Sequence, residues 1–168
     1  MIAAVIALLI PWLSPLSFSH GAPHWTIGQS GTTYSRVGST HRRVAVSTAW
    51  ATNVRYVDKA SADPPTRTLE HLGTSGILVW AVIEPRIGAW PPDGRRLSIG
   101  YSLGDAYRFR CCDSVDVPGG AWELYGIGPK GAYTVLVRVY WGSNPTHAMR
   151  QSAQMQLMRL RLPEPATK

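Results

Sequence analysis

The chain has 168 residues and a formal charge of +7, from 17 Lys and Arg against 10 Asp and Glu. At 45% hydrophobic and only 16% charged it is not a disordered chain, and its length suits one domain. Two cysteines exclude a disulfide-dense scaffold and a four-thiolate zinc site, and no apolar run reaches the ~18–20 residues of a membrane-spanning helix.

The charge is mostly guanidinium, since only Lys59, Lys130 and Lys168 are lysine. Guanidinium stays ionised and forks onto carboxylates and phosphates, so polyanions are favoured neighbours. Nucleic acid is not expected, because no basic stripe interleaved with aromatics is present. No charged side chain precedes Arg36.

Met1 to Leu13, MIAAVIALLIPWL, is an apolar run with the length of a signal-peptide core. Pro11 and Pro15 would end a helix there, and the small residues Ser17, Ser19 and Ala22 offer cleavage sites. No Lys or Arg precedes the run, so the terminal amine supplies the basic end or the reading frame starts inside a longer leader. The expectation is a signal peptide or residual membrane anchor over 1–22, and hence a secreted or extracytoplasmic protein. A flexible tether over 23–43, with one edge strand in it, would lead into a single domain over 44–163, and 164–168 would be a tail.

Along that domain, Val44–Tyr56 has strand composition, with Asn53 as an interruption. Residues 58–74 read as a loop holding a short strand or a turn of helix. Ile77–Ile83, ILVWAVI, is an unbroken apolar run between Gly76 and Pro85, which fits a strand at the centre of a sheet. Residues 85–96 form a Pro-rich loop. Leu97, Ile99, Tyr101 and Leu103 alternate as in a strand, and so do Tyr107, Phe109 and Cys111.

Ala121–Ile127 and Ala132–Trp141 flank Gly128-Pro129-Lys130-Gly131, which predicts a hairpin. In its second strand Tyr133, Val135, Val137, Val139 and Trp141 share one face. Trp80, Trp122 and Trp141 fall inside strands as core or rim residues. Asn144 is the expected N-cap of a final helix, with Pro145 at its first position and a stripe of Met149, Ala153, Leu157 and Leu160. A terminal strand over 158–162 is the competing reading. The fold class is therefore α+β: a mainly antiparallel sheet of about six to eight strands with one C-terminal helix packed on it. The alternative is a two-sheet β-sandwich with the helix appended.

Most chemical motifs lack the context their chemistry needs. Gly100-Tyr101-Ser102-Leu103-Gly104 matches the G-x-S-x-G of serine hydrolases, which requires the serine at a strand-to-helix corner. The residues after it alternate like a strand, so Ser102 reads as a strand residue. A small serine hydrolase built from Ser102, Asp113 and His147 is kept as the alternative. Gly126 to Gly131 fits G-x-G-x-x-G but opens a strand rather than the helix a pyrophosphate needs. Cys111 and Cys112 point to opposite faces of a strand, which favours two unpaired thiols over a vicinal ring or an intermolecular bond.

The five histidines have no acidic or thiol neighbours at ligand spacing, so no metal and no cofactor are expected. Trp90 sits on the Pro-rich loop with Arg86, Arg95 and Arg96. An aromatic on a stiff loop among cations suits docking on a protein or on an anionic polymer, so these four are the candidate ligand-binding residues. The competing reading makes Trp90 a plug on the sheet.

Trp50-Ala51-Thr52-Asn53-Val54, GILVWAVIEP, and VRVYWGSNP leading to RLP together look like a group of exported actinobacterial proteins of unknown function, over residues 49–163. The resemblance implies export, one small α+β domain and a C-terminal helix packed on the preceding strand. The functional expectation is a non-catalytic domain outside the cytoplasm. It would bind an envelope protein or anionic surface polymer and associate with the membrane through its N-terminus.

Overall fold

The computed structural model describes residues 16–30, 33–37, 42–59, 64–85, 102–109, 117–128 and 133–163. In chain order the strands are β1 (Ser17–Phe18), β2 (Thr26–Gln29), β3 (Thr33–Val37), β4 (Arg42–Thr52), β5 (Ile77–Pro85), β6 (Tyr107–Phe109), β7 (Ala121–Ile127), β8 (Tyr133–Trp141) and β9 (Leu160–Arg161). Helix α1 (Thr66–Glu70) lies between β4 and β5, and α2 (His147–Leu157) between β8 and β9. The protein is α+β, with its described strands in two antiparallel sheets. One sheet has the order β2-β4-β5-β8-β7-β6, with β3 also on β4, and the other is the two-stranded β1-β9.

β5 lies at the centre because its side chains are apolar on both faces. It pairs with β4 from Ser47↔Ile83 to Thr52↔Leu78, and with β8 from Ile77↔Trp141 to Pro85↔Tyr133. Every residue from Ile77 to Ile83 is buried. One face carries Ile77, Val79, Ala81 and Ile83 together with Val135, Val137, Val139 and Trp141. Ala153 and Leu157 of α2, Leu160 of β9, and Leu16 and Phe18 at β1 cover it. The other face carries Leu78, Trp80, Val82 and Tyr140, with Leu69 and Leu72 of the α1 segment against it. Burying each such aliphatic side chain stabilises the fold by about 1.5–3 kcal/mol, before the entropy of ordering it is counted.

Asn53 ends β4 by acting as a piece of backbone. Its Oδ1 accepts from the Ile77 N–H at 2.7 Å and its Nδ2 donates to the Ser75 carbonyl at 3.0 Å. Five-residue α1 has no capping side chain of its own, since Pro65 precedes it. Asp58 supplies the cap from outside, accepting from the N–H groups of Arg67 and Thr68 at 3.2 and 2.7 Å.

The segment expected to be a tether also contributes to the sheet. Thr26–Gln29 and Thr33–Val37 both lie antiparallel along β4. Between Gln29↔Ala49 and Thr33↔Val46 the edge chain spends one residue more than β4, so the register shifts by one. Ser30 holds the point of change. Its hydroxyl lies 2.6 Å from that of Thr48 and accepts from the Thr48 N–H at 3.0 Å.

Two expectations at the C-terminal helix need correction. The N-cap is Thr146, not Asn144: the Thr146 hydroxyl accepts from the Met149 N–H at 3.3 Å, and the helix starts at His147. The reason lies in the preceding turn. The N–H groups of Gly142, Ser143 and Asn144 donate to the carbonyls of Gly76, Gly73 and Thr74. Asn144 is therefore still part of the bend that follows β8, and Pro145 falls before the cap instead of after it. At the other end the helix stops at Leu157, and Leu160–Arg161 pair with Phe18 and Ser17. The helical stripe and the terminal strand, read as competitors, occur one after the other. Leu160 stays on the core side in both.

Candidate functional site

Of the residues proposed for ligand binding, Arg86, Trp90, Arg95 and Arg96 all lie outside the described residues, as do Asp113, Cys111 and Cys112. The segment that carries the first four leaves β5 at Pro85, beside Tyr133 of β8.

Ser102 and His147 are described. Ser102 is not in a strand. Its backbone is extended (φ −109°, ψ 130°) and it caps one 3-10 turn, Leu103–Asp105, with its hydroxyl accepting from the Gly104 N–H at 3.1 Å. β6 follows, so no α-helix begins at the serine and the corner a nucleophilic serine requires is not built here. The turn is tied to α2 by the Leu103 N–H, which donates to Gln154 Oε1 at 2.7 Å. His147 lies seven residues earlier on the helix, about 10 Å along its axis from Gln154 at 1.5 Å per residue. The side chains of both Ser102 and His147 are exposed.

Of the glycine pattern at 126–131, residues 129–131 lie outside the described residues, and Gly128 closes the end of β7. The Gly128 N–H donates to the Tyr133 carbonyl at 2.9 Å, and the Tyr133 ring occupies the space a Cβ at Gly128 would need. Glycine is there so that an aromatic ring can close over the strand end. Burial holds the Tyr133 phenol far above its ordinary range, and the hydroxyl donates to the Pro163 carbonyl at 2.7 Å.

The polar side chains buried in the sheet hold structure together. Glu123 and Arg138 are directly opposed on β7 and β8, with Arg138 Nε donating to Glu123 Oε2 at 2.6 Å. Burial works against the Arg138 charge, but Tyr140 and Glu123 more than offset it, and its pKa is raised. Among the described residues no three His, Cys, Asp or Glu side chains are grouped to hold a metal ion. No described helix is long and apolar enough to cross a membrane.

Sequence reasoning missed the outer side of α2. The buried side carries Ala153, Gln156 and Leu157. On the opposite side Ala148, Gln151, Met155 and Met158 are exposed at spacings of three and four. Met155 is 49% and Met158 62% exposed. Arg150 lies with its guanidinium 5.2 Å from the Trp122 ring centroid, Arg159 donates to Gln156 Oε1 at 2.7 Å, and Arg161 is exposed on β9. The signal was present in the pattern: two methionines fall off the Met149–Ala153–Leu157 stripe, on the side that should be polar.

Comparison with protein-family models, with curated proteins and with solved structures finds no match to this chain.

Proposed function

We propose that the protein is a non-catalytic domain that works outside the cytoplasm and binds an envelope protein or an anionic surface polymer. The apolar run over 1–13 directs export, by a cleaved signal or a residual anchor. The contact residues are Arg86, Trp90, Arg95 and Arg96, on the Pro-rich segment after β5. Trp90 supplies the stacking surface and the arginines supply charge.

The observation that carries the reading is that, among the described residues, Ser102, Asp58 and Glu123 are engaged in structural bonds. The Ser102 hydroxyl holds the Gly104 N–H, Asp58 caps α1, and Glu123 is paired with Arg138. A nucleophilic serine also needs a strand-to-helix corner, and Ser102 instead caps a 3-10 turn followed by β6.

Cell fractionation and activity-based labelling of the full chain test this reading. The expected result is recovery outside the cytoplasm, with no fluorophosphonate adduct at Ser102. Trp90→Ala should abolish co-sedimentation with an anionic envelope polymer and leave the melting temperature unchanged. Soluble cytoplasmic protein with its leader intact would overturn the reading. So would labelling that disappears in Ser102→Ala, which would point instead to the serine hydrolase of Ser102, Asp113 and His147.

A further inference from the structure

The large hydrophobic side chains left exposed among the described residues are Ile27, Met155 and Met158. All three belong to the side of the sheet that carries α2. Ile27 pairs with Ala51, which lies in the α2-side core. The segment between β1 and β2 joins Ile27 to the helix, because the Ala22 N–H donates to Gln156 Oε1 at 3.2 Å.

The charge on this side has one sign. Residues 142–163 contain Arg150, Arg159 and Arg161 and no Asp or Glu, and residues 16–30 contain no acid either. Along the chain the nearest acids to residues 142–163 are Glu164 and Glu123, the latter paired with Arg138, and Asp105 lies on the turn held by Gln154. Leu16, three positions after the apolar run of residues 1–13, lies on this same side. Leu16 is fully buried in the α2-side core, and Ser17 pairs with Arg161. Exposed Met155 and Met158 thus stand beside Arg159 and Arg161 at the C-terminal end of α2 and β9, next to Leu16 and Ser17.

We propose that this side of the domain rests on an anionic phospholipid surface, with Met155 and Met158 entering the headgroup region and Arg159 and Arg161 facing the phosphates, while Arg150 stays on the Trp122 ring. Apolar contact with flanking arginines is what an interfacial surface requires. Each arginine near an anionic leaflet strengthens attachment about fivefold, so Arg159 and Arg161 give on the order of thirtyfold. That is weak for a free protein but sufficient for one also held by an uncleaved apolar run, so the inference rests on the anchor reading of residues 1–13. The surface differs from the 86–96 segment, so the inference goes beyond the partner-binding reading.

Peroxide footprinting of the full chain tests it. Hydrogen peroxide converts an accessible methionine to its sulfoxide, and partly buried Met149 serves as the internal reference. On pure phosphatidylglycerol vesicles Met155 and Met158 should oxidise at least about fivefold more slowly than in detergent, and on phosphatidylcholine vesicles at nearly the detergent rate. Arg161→Gln should lower the protection about fivefold, while Lys59→Gln, on the α1 side, should leave it unchanged. Equal oxidation rates on the two lipids would overturn the proposal, whether fast or slow. Trp90→Ala should leave the protection intact while losing the polymer. If Trp90→Ala abolished the protection, the lipid contact would belong to the 86–96 segment and the assignment to α2 would fall.

Discussion

The Trp50 indole stacks on the Tyr56 ring with centroids 3.9 Å apart and planes 3° from parallel. The chain leaves β4 at Asn53, turns back, and lays Tyr56 over the last part of the strand. Gly28, the cross-strand partner of Trp50, makes room for the indole: a Cβ there would overlap its six-membered ring. Gly28→Ala should therefore push Trp50 off Tyr56 and destabilise the protein by about 1–3 kcal/mol. A lowered urea midpoint together with a changed near-ultraviolet circular dichroism spectrum is the expected result.

The same stack sets an alkaline limit. Burial, with a smaller contribution from the Asp58 carboxylate, pushes the Tyr56 phenol up to about 12. In the unfolded chain it ionises near about 10. Between these values the folded state keeps a proton that the unfolded state has lost. Stability is thus undiminished below about pH 10 and falls as pH rises from about 10 to about 12. Tyr133, also raised by burial, acts with the same sign. Urea midpoints measured across this range should decline less steeply in Tyr56→Phe than in the wild type.

Glu123 and Arg138 sit inside the sheet, with side chains 1% and 11% exposed. Removing one partner leaves a buried charge uncompensated. Glu123→Leu or Arg138→Met alone should each cost about 3–5 kcal/mol, whereas the double substitution should fall within about 1 kcal/mol of the wild type. Denaturant titration of the four proteins gives the coupling directly.

The position of the α2 cap separates two readings of one short stretch. Thr146→Ala should cost about 1 kcal/mol, because it leaves the Met149 N–H without its acceptor. Asn144→Ala should stay within about 0.5 kcal/mol, since the exposed Asn144 is held through its backbone. Thermal melts that ranked the two in the opposite order would contradict the capping geometry.

Strand periodicity was legible where burial is one-sided or complete. Tyr133 to Val139 alternates in burial as its sequence alternates, Tyr140 being buried on the other face, and the run from Ile77 to Ile83 lies between two neighbours as its composition demands. What was not legible depended on partners distant in sequence. Asn144 has the chemistry of a cap, but its amide is drawn to Thr74, seventy positions earlier. Thr26–Gln29 is polar and short, and it becomes a strand only because β4 offers a free edge. Ser102 carries a hydrolase pattern whose meaning depends on the next five residues, and these form a 3-10 turn and a strand. At the candidate surface the arginines were visible as composition. That two methionines stand beside them could be seen only once the buried side of α2 was known.

The pairing of Ser17 and Phe18 with Arg161 and Leu160 has a consequence for timing. The first strand cannot find its mate until residues 160–161 have been synthesised, whereas β5 follows its neighbour β4 and needs only residues 133–141 for the other. Contacts this far apart in sequence form slowly. The pairing of β1 with β9 therefore closes late in folding, after β4 and β5 between them have had the chance to pair.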